Sequence, residues 1–376
     1  MSGRGEVVVP GGRLEVAIDR EAWPLDTLCA FGARRGSRRG FLVVSKVLGR
    51  HIPARPSTMR AAADDLAARL PPDLAGPVLV VGLAETAVCL GQSVHEAYIA
   101  RTERGDVVYL HSTRQAADWP EFARFQEPHS HAPAHIVYEP ADAAVAALAL
   151  GARTLVLIDD EASTGTTFVN LAAALTPRLP KLKAIMTGVL TDWSGGDYVS
   201  RLPRPALAVS LLAGTLRWRP DEDRSPPDAR ASATAAGFGA APAGVNFGRF
   251  GRCDPASEGD AMAAVVAPVA GRRILVLGSG EFTYPPFRVA EALERAGGDV
   301  LVQATTRSPV QVAGPIGCAL TLRDDYGSGA PHFLYNQRRD PDRLTLVGHE
   351  TPAGSLDPAF LAALGDAVPL CFGRSG

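Results

Sequence analysis

The sequence is short of most features that assign a function quickly. Its 38 Lys and Arg nearly cancel 40 Asp and Glu, for a net charge of −2. That balance gives no support to nucleic-acid binding by bulk charge or to an acidic solvating tail. Aromatic residues make up only 6%. The five cysteines (Cys29, Cys89, Cys253, Cys318 and Cys371) are scattered, odd in number and free of CxxC spacing. Neither a disulfide framework nor a zinc knuckle follows from them. Met1–Gly12 lacks the apolar stretch of a signal peptide. Apolar runs such as Pro77–Leu83 and Ile274–Gly278 are too short to cross a bilayer. These absences lead to the expectation of a cytoplasmic protein that contacts neither membrane nor nucleic acid.

What is present is ample core material. The chain has 376 residues, 46% of them hydrophobic, which excludes wholesale disorder and suggests two or three domains. A stretch rich in Pro, Ala, Gly and charge at 219–245 reads as a solvated linker between units at 1–218 and 246–376. In the first unit, strand-like runs Pro77–Gly82, Asp106–His111, Thr154–Asp159 and Ala184–Leu190 alternate with predicted helices over Ala87–Ala100 and Thr167–Leu175. The second repeats the plan, with strands Arg273–Gly278, Asp299–Gln303 and Leu344–Val347 and helices Phe287–Ala296 and Pro358–Leu364. Continuous apolar strands separated by helices predict α/β units, each on a parallel sheet.

The chemistry concentrates in Leu155–Thr167, LVLIDDEASTGTT. A buried strand ends in Asp159 and Asp160, and a loop of small residues then opens a helix. Ligands of open α/β sheets bind outside the carboxyl ends of the strands. The backbone amides of Ser163, Thr164, Gly165, Thr166 and Thr167 can turn around a phosphate at the helix N-terminus. Adjacent carboxylates suit neighbouring hydroxyls, such as those of a ribose, as hydrogen-bond donors. Upstream, Gly82-Leu83-Ala84-Glu85-Thr86 follows a strand, where glycine allows close approach of an anion. Arg114 offers a cation near the same edge. Arg34–Arg60 holds eight basic residues and no acid, which suits either a polyanionic ligand or a solvated basic face. His129, His131 and His135 lie in a segment that reads as a lid, an acceptor contact or plain surface. A zinc site there lacks supporting Cys or carboxylate ligands.

The order of parts in Leu155–Thr167 resembles the fingerprint of the type I phosphoribosyltransferases, which bind phosphoribosyl pyrophosphate (PRPP). The resemblance implies that Asp159 and Asp160 hold the ribose hydroxyls and a Mg²⁺ ion, and that Ser163–Thr167 wraps the 5′-phosphate. It implies that Gly82–Thr86 contacts pyrophosphate, and that a mobile loop in about the position of the histidine-rich segment covers the site. Glu161 stands where that family usually has an apolar residue, and could take a proton from the acceptor, assist the metal or simply point to solvent. Ser163 stands where some members acting on 6-oxopurines carry an aspartate, which argues against that substrate class. Thr305-Thr306-Arg307-Ser308-Pro309 resembles the signature of the TRSP domain, fused behind a phosphoribosyltransferase in a family from tellurite-resistance-type operons. Ser45–Pro53, Glu127–His135 and Arg323–Asn336, which contains Asp325 and Tyr326, are further matching pieces.

The two units also resemble each other. Glu85 aligns with Glu281, Thr113-Arg114 with Thr306-Arg307, His135 with His332, and LIDDEASTGT with LVGHETPAGS. The second unit therefore reads as a degenerate repeat of the first, with Gly348 and His349 in place of the acid pair. Glu281, Arg307, Ser308, Asp325 and Tyr326 are its candidate functional residues. The expected activity is transfer of ribose 5-phosphate from PRPP to an unidentified small acceptor, or the reverse, with a homodimer as an open expectation. The alternatives are a PRPP-sensing regulator without turnover and a PRPP synthetase-like kinase. The kinase would need an ATP site, for which the sequence offers no clear phosphate loop beyond Ser163–Thr167.

Overall fold

In the computed structural model, residues 3–34, 39–126, 134–221, 239–242, 245–255, 263, 271–365 and 367–373 are described. The first unit is built on a seven-stranded sheet in the order Arg4–Val9, Gly12–Glu21, Ala206–Pro220, Ala184–Asp192, Thr154–Ala162, Val78–Gly82, Val107–His111. The last five strands are mutually parallel. The first two form an antiparallel hairpin that extends the edge at Ala206–Pro220.

Alternation of side chains across a strand explains the layers. Val78, Val80, Val156 and Ile158 face a core shared with helices Pro56–Ala68 and Val88–Thr102. Leu79, Val81, Leu155 and Leu157 face the opposite core, which contains Ala149, Phe168, Leu171 and Leu175 from helices Ala143–Leu150 and Thr166–Leu175. Strands buried on both faces have no polar alternation, which is why they read as continuous apolar runs.

The second unit has a four-stranded parallel sheet in the order Asp299–Ala304, Arg273–Gly278, Arg343–His349, Val368–Cys371. Helix Tyr284–Arg295 packs on one face and Pro358–Ala363 on the other. Numbered along the chain within each unit, the parallel strands run 2-1-3-4-5 in the first and 2-1-3-4 in the second. Each unit also carries an antiparallel hairpin after its second parallel strand: Glu121–Gln126 with Ala134–Tyr138, and Ala319–Arg323 with Pro331–Tyr335. The units meet closely. Ala54 and Val302 exchange backbone hydrogen bonds of 2.9 and 2.8 Å, and Met59 and Cys89 join the core around Tyr284–Arg295.

Three expectations change. The strand bearing the acid pair continues through Ala162 rather than ending at Asp159, because it remains paired with Ala184–Asp192. The end of the expected linker is attached to the first unit, since Gly239–Ala240 pairs with Gln115–Ala116; residues 222–238 lie outside the described residues. The acid-free basic stretch is not an open patch. Arg39, Arg50, Arg55 and Arg60 each meet carboxylates from other elements, and Arg35 and Arg38 lie outside the described residues. No helix among the described residues is long and apolar enough to cross a membrane.

Candidate functional site

Parallel pairing places Asp159 and Asp160 at the carboxyl edge of the central strand, half-buried and beside the turn that follows Val78–Gly82. Thr86 joins the two segments. Its hydroxyl donates to Asp160 Oδ1 at 2.9 Å and lies 3.4 Å from Asp159 Oδ1, while the Asp160 amide donates to Asp159 Oδ1 at 2.9 Å. Glu161 points toward Arg39, whose Nη2 donates to Oε1 at 2.6 Å. Burial pushes the Glu161 carboxyl above its ordinary range, and Asp160 adds to this while Arg39 opposes it.

The following loop is exposed at Ser163 and Thr164. Gly165 then takes φ +67° immediately before helix Thr166–Leu175. A side chain at this position would face two obstacles, the left-handed backbone and the ring of Tyr198, whose Cγ would lie 2.0 Å from an added Cβ. Gly165 supplies no capping side chain, so the amide-rich end of the helix dipole faces the loop. Thr164 and Thr166 share a 3.0 Å hydroxyl contact, and Arg201 Nη2 donates to the Thr164 carbonyl at 2.8 Å.

The turn at Gly82–Thr86 differs from its sequence reading. The space beside Gly82 is filled by the protein: an added Cβ would lie 2.7 Å from the Ala87 carbonyl and 2.9 Å from the Tyr109 hydroxyl. An added Cβ on Gly91 would in turn lie 2.8 Å from Gly82 Cα. Gly82 thus serves close packing of helix Val88–Thr102 on the sheet, not approach of an anion. Leu83 is core, with its amide bonded to the Ile158 carbonyl, and the Ala84 amide donates to Ser112 Oγ at 2.9 Å. No hydrogen bond among the described residues uses the amides of Glu85 and Thr86. These two amides are the ones the turn can offer to a ligand.

Glu85 itself is an internal anchor. Arg50 Nη1 lies 3.4 Å from its Oε1 and Nη2 donates to its carbonyl, while Arg114 Nη1 is 4.0 Å from its Oε2. Burial alone would raise this carboxyl, but Arg50 and Arg114 hold it at about 2. Arg50 also donates to the carbonyls of Gly280 and Thr305, at 2.7 and 2.6 Å.

His135 is fully buried in a strand and not in a lid. Arg114 Nη2 donates to His135 Nε2 at 3.0 Å, so Nδ1 carries the proton and donates to Ser112 Oγ at 3.1 Å. Arg114 and His135 therefore brace the turn from behind, through the serine that holds Ala84. His129 and His131 lie outside the described residues.

In the second unit, Glu281 is buried and accepts from the Thr113 hydroxyl and the Arg114 amide, while the Arg307 amide donates to Glu85 at 3.2 Å. Ser308 bonds within its own turn and to Tyr335. Asp325 and Tyr326 form a separate cluster. Ser279 and Thr351 donate to Asp325, and the buried Tyr326 hydroxyl donates to Glu350, which is paired with Arg249. The sequence points to neither Ser112 nor Tyr198, and it shows Arg50 only within a basic run and the Ser45–Pro53 match. An arginine in an acid-free stretch gives no sign that its counter-charge lies 35 residues away.

Mg²⁺ is commonly held by one or two carboxylates completed by water and substrate oxygens. The Asp159–Asp160 pair supplies that number. Among the described residues no group of three or more His, Cys, Asp or Glu could hold a metal alone.

Sheet, acid pair and helix start together define an open α/β protein with two carboxylates and a helix N-terminus at one sheet edge. A family model described as phosphoribosyl transferase matches residues 28–215, half of the chain, and the TRSP domain found C-terminal to it matches 248–364. The chain belongs to this phosphoribosyltransferase family, with its TRSP domain. Among solved structures, the adenine phosphoribosyltransferase of Rhodothermus marinus DSM 4252 is 16% identical, with 50% of this chain and 96% of that chain covered and a TM-score of 0.35. The adenine enzyme of Trypanosoma brucei, solved with AMP, pyrophosphate and ribose 5-phosphate, is 13% identical over 52% and 82% of the two chains, at 0.35. The orotate phosphoribosyltransferase of Aeropyrum pernix is 15% identical over 46% and 81%, at 0.27. No curated protein matches the chain in sequence.

Proposed function

We propose that the protein transfers ribose 5-phosphate between PRPP and a small acceptor at the edge formed by Asp159, Asp160, Thr86 and the Ser163–Thr167 loop. The observation that carries this reading is the Thr86–Asp160 hydrogen bond, which ties the turn with two open amides to the acid pair. A ligand bearing phosphate at one end, vicinal hydroxyls in the middle and pyrophosphate at the other matches these three parts in order. The Gly165 helix start would take the 5′-phosphate. Asp159 and Asp160 would accept from the ribose hydroxyls, and the Glu85 and Thr86 amides would donate to pyrophosphate.

An acceptor nitrogen then bonds to C1 as the C1–oxygen bond breaks, and pyrophosphate leaves with the electron pair. Glu161, whose carboxyl is pushed up by burial, is the candidate to receive the acceptor's proton. A bound Mg²⁺ on the acid pair would supply charge neutralisation for the pyrophosphate oxygens. Asp159 and Asp160 orient the ribose throughout, and placing C1 against the acceptor lowers the entropic part of the barrier. Incubation with PRPP, Mg²⁺ and a panel of nitrogenous bases tests the reading. Base-dependent pyrophosphate release supports transfer, whereas PRPP binding without release with any base would favour a sensor.

A further inference from the structure

A cleft of about 480 Å³ opens at the amino-terminal edge of the second unit's sheet, where strand Arg343–His349 begins. Its volume lies in the range of small-molecule sites. At about 3.3 Å per residue, the strand separates this cleft by about 20 Å from the carboxyl edge that meets the first unit. One wall is the base of the hairpin Ala319–Arg323 and Pro331–Tyr335, and the other is the turn that leads from that hairpin to Arg343.

Both walls are fixed. Asn336, at φ +58°, accepts from the Gly317 amide at 2.7 Å and donates to the His51 and Pro315 carbonyls at 3.0 Å. Gln337 is buried and donates to Gln303 Oε1 at 2.7 Å. Cys318 Sγ donates to the Gln337 carbonyl at 3.3 Å. Across the turn, the Arg343 amide donates to the Asp340 carbonyl and Arg343 Nη2 to the Arg338 carbonyl, each at 3.2 Å.

The charge in the cleft is one-sided. Arg338, Arg339 and Arg343 all line it. The acid in the lining, Asp340, is already engaged: Oδ1 accepts from the Asp342 amide at 3.1 Å and Oδ2 pairs with Arg273 at 2.9 Å. Among the described residues, none bonds to or pairs with the side chain of Arg338 or Arg339. Arg339 is nonetheless seated, since an added Cβ on Gly365 would lie 3.1 Å from its Cγ. Arg343 is half-buried and spends one of its side-chain donors on the turn, while its Nε is buried without a partner. A solvated basic face keeps its nitrogens in water, and a structural ion pair supplies a carboxylate. Arg343 has neither arrangement, which points to a missing acceptor.

We propose that this cleft is a second anion site, which takes a phosphate group, free or carried by a small molecule, on Arg338, Arg339 and Arg343. Guanidinium groups present paired donors that match phosphate oxygens. Because the turn is tied before any ligand arrives, little ordering cost falls on binding. A phosphate alone leaves much of the cleft open, so an ester has room for its organic group beside Pro341 and Cys318. The proposal is independent of the reading of the acid pair.

Cys318, half-buried in the lining, is a local reporter. The full-length protein is alkylated with iodoacetamide in the presence of inorganic phosphate, phenyl phosphate, or sodium chloride at matched ionic strength, and each cysteine is followed by mass spectrometry. At about 10 mM, a phosphate ligand with a Kd of about 1 mM should slow Cys318 by about tenfold. Cys253, packed against the first unit's core, should react as before. Stronger protection by phenyl phosphate supports an ester as the ligand, and stronger protection by inorganic phosphate supports the free ion. Arg338→Gln with Arg339→Gln, both exposed, should abolish protection. Arg323→Gln, exposed on the hairpin, should retain it, as should Asp159→Asn with Asp160→Asn. No protection of the wild type by either phosphate compound, or equal protection by sodium chloride, would overturn the proposal. So would equal slowing at Cys253, or protection that survives loss of both arginines.

Discussion

Gly165→Ala is the sharpest single perturbation of the proposed phosphate end of the site. The residue sits at φ +67°, where a left-handed backbone costs a non-glycine residue about 1 kcal/mol. An added Cβ would lie 2.0 Å from Tyr198 Cγ, 2.3 Å from Cδ1 and 2.4 Å from Cβ. Tyr198 cannot step aside, because its hydroxyl is 2.7 Å from Thr187 Oγ1 and its ring stacks on Phe168 at 5.7 Å. Overpacking of this kind adds about 1–3 kcal/mol, for a total near 3 kcal/mol. At about 2–4 °C per kcal/mol for a unit of this size, Tm should fall by about 6–12 °C. The displaced helix start should also weaken ribose 5-phosphate binding. In a Tyr198→Ala background the added cost of Gly165→Ala should shrink to the backbone component, a coupling of about 2 kcal/mol in the double-mutant cycle. Scanning calorimetry with ligand titration reads both effects. Unchanged Tm and affinity in Gly165→Ala would refute the reasoning.

The remaining predictions concern buried charge. Burial holds His51, His95 and His111 at about 4, with Arg50 adding at His51 and Arg249 at His111. They are neutral when folded, so their contribution is complete above the unfolded value of 6.5 and is lost as pH falls toward 4, by up to about 3 kcal/mol each. Glu85, held at about 2, adds a second loss as pH falls from 4.5 toward 2. Urea midpoints should decline steadily below pH 6.5, and a flat profile down to pH 4.5 would contradict this burial account. Arg249 and Glu350 are 4% and 0% exposed. Either Arg249→Met or Glu350→Gln alone should cost about 3–5 kcal/mol, and Arg249→Met combined with Glu350→Leu should cost less than either, as thermal unfolding would show.

The parallel strands were legible because burial on both faces removes polar residues, as in Val78–Gly82 and Arg273–Gly278. Gly12–Glu21 was less so: GRLEVAIDRE carries the period-two signal of a half-buried strand, but it lies in an antiparallel hairpin outside the strand–helix alternation. Helix Pro56–Ala68 was masked by alanines, which give a weak apolar stripe although Ala62, Ala63 and Ala67 are fully covered. Within the candidate site, the common placement of Asp159, Asp160 and the Gly165 loop at one strand end could be read because strand, acids and helix start are contiguous. The bracing set of Arg50, Ser112, Arg114 and His135 could not, because its members are joined only by tertiary contact. Gly82 shows the opposite error. A glycine after a strand beside a proposed anion site suggests approach of the ligand, while the structure gives its space to Ala87, Tyr109 and Gly91.

The central claim is that the acid pair holds the ribose of PRPP. Titrating PRPP with Mg²⁺ into the wild-type protein and into the double variant Asp159→Asn, Asp160→Asn tests it most directly. The account predicts saturable binding by the wild type and a loss of at least about a hundredfold in the variant, since two charge-assisted acceptors are removed. PRPP binding that survives the double substitution unchanged would contradict it.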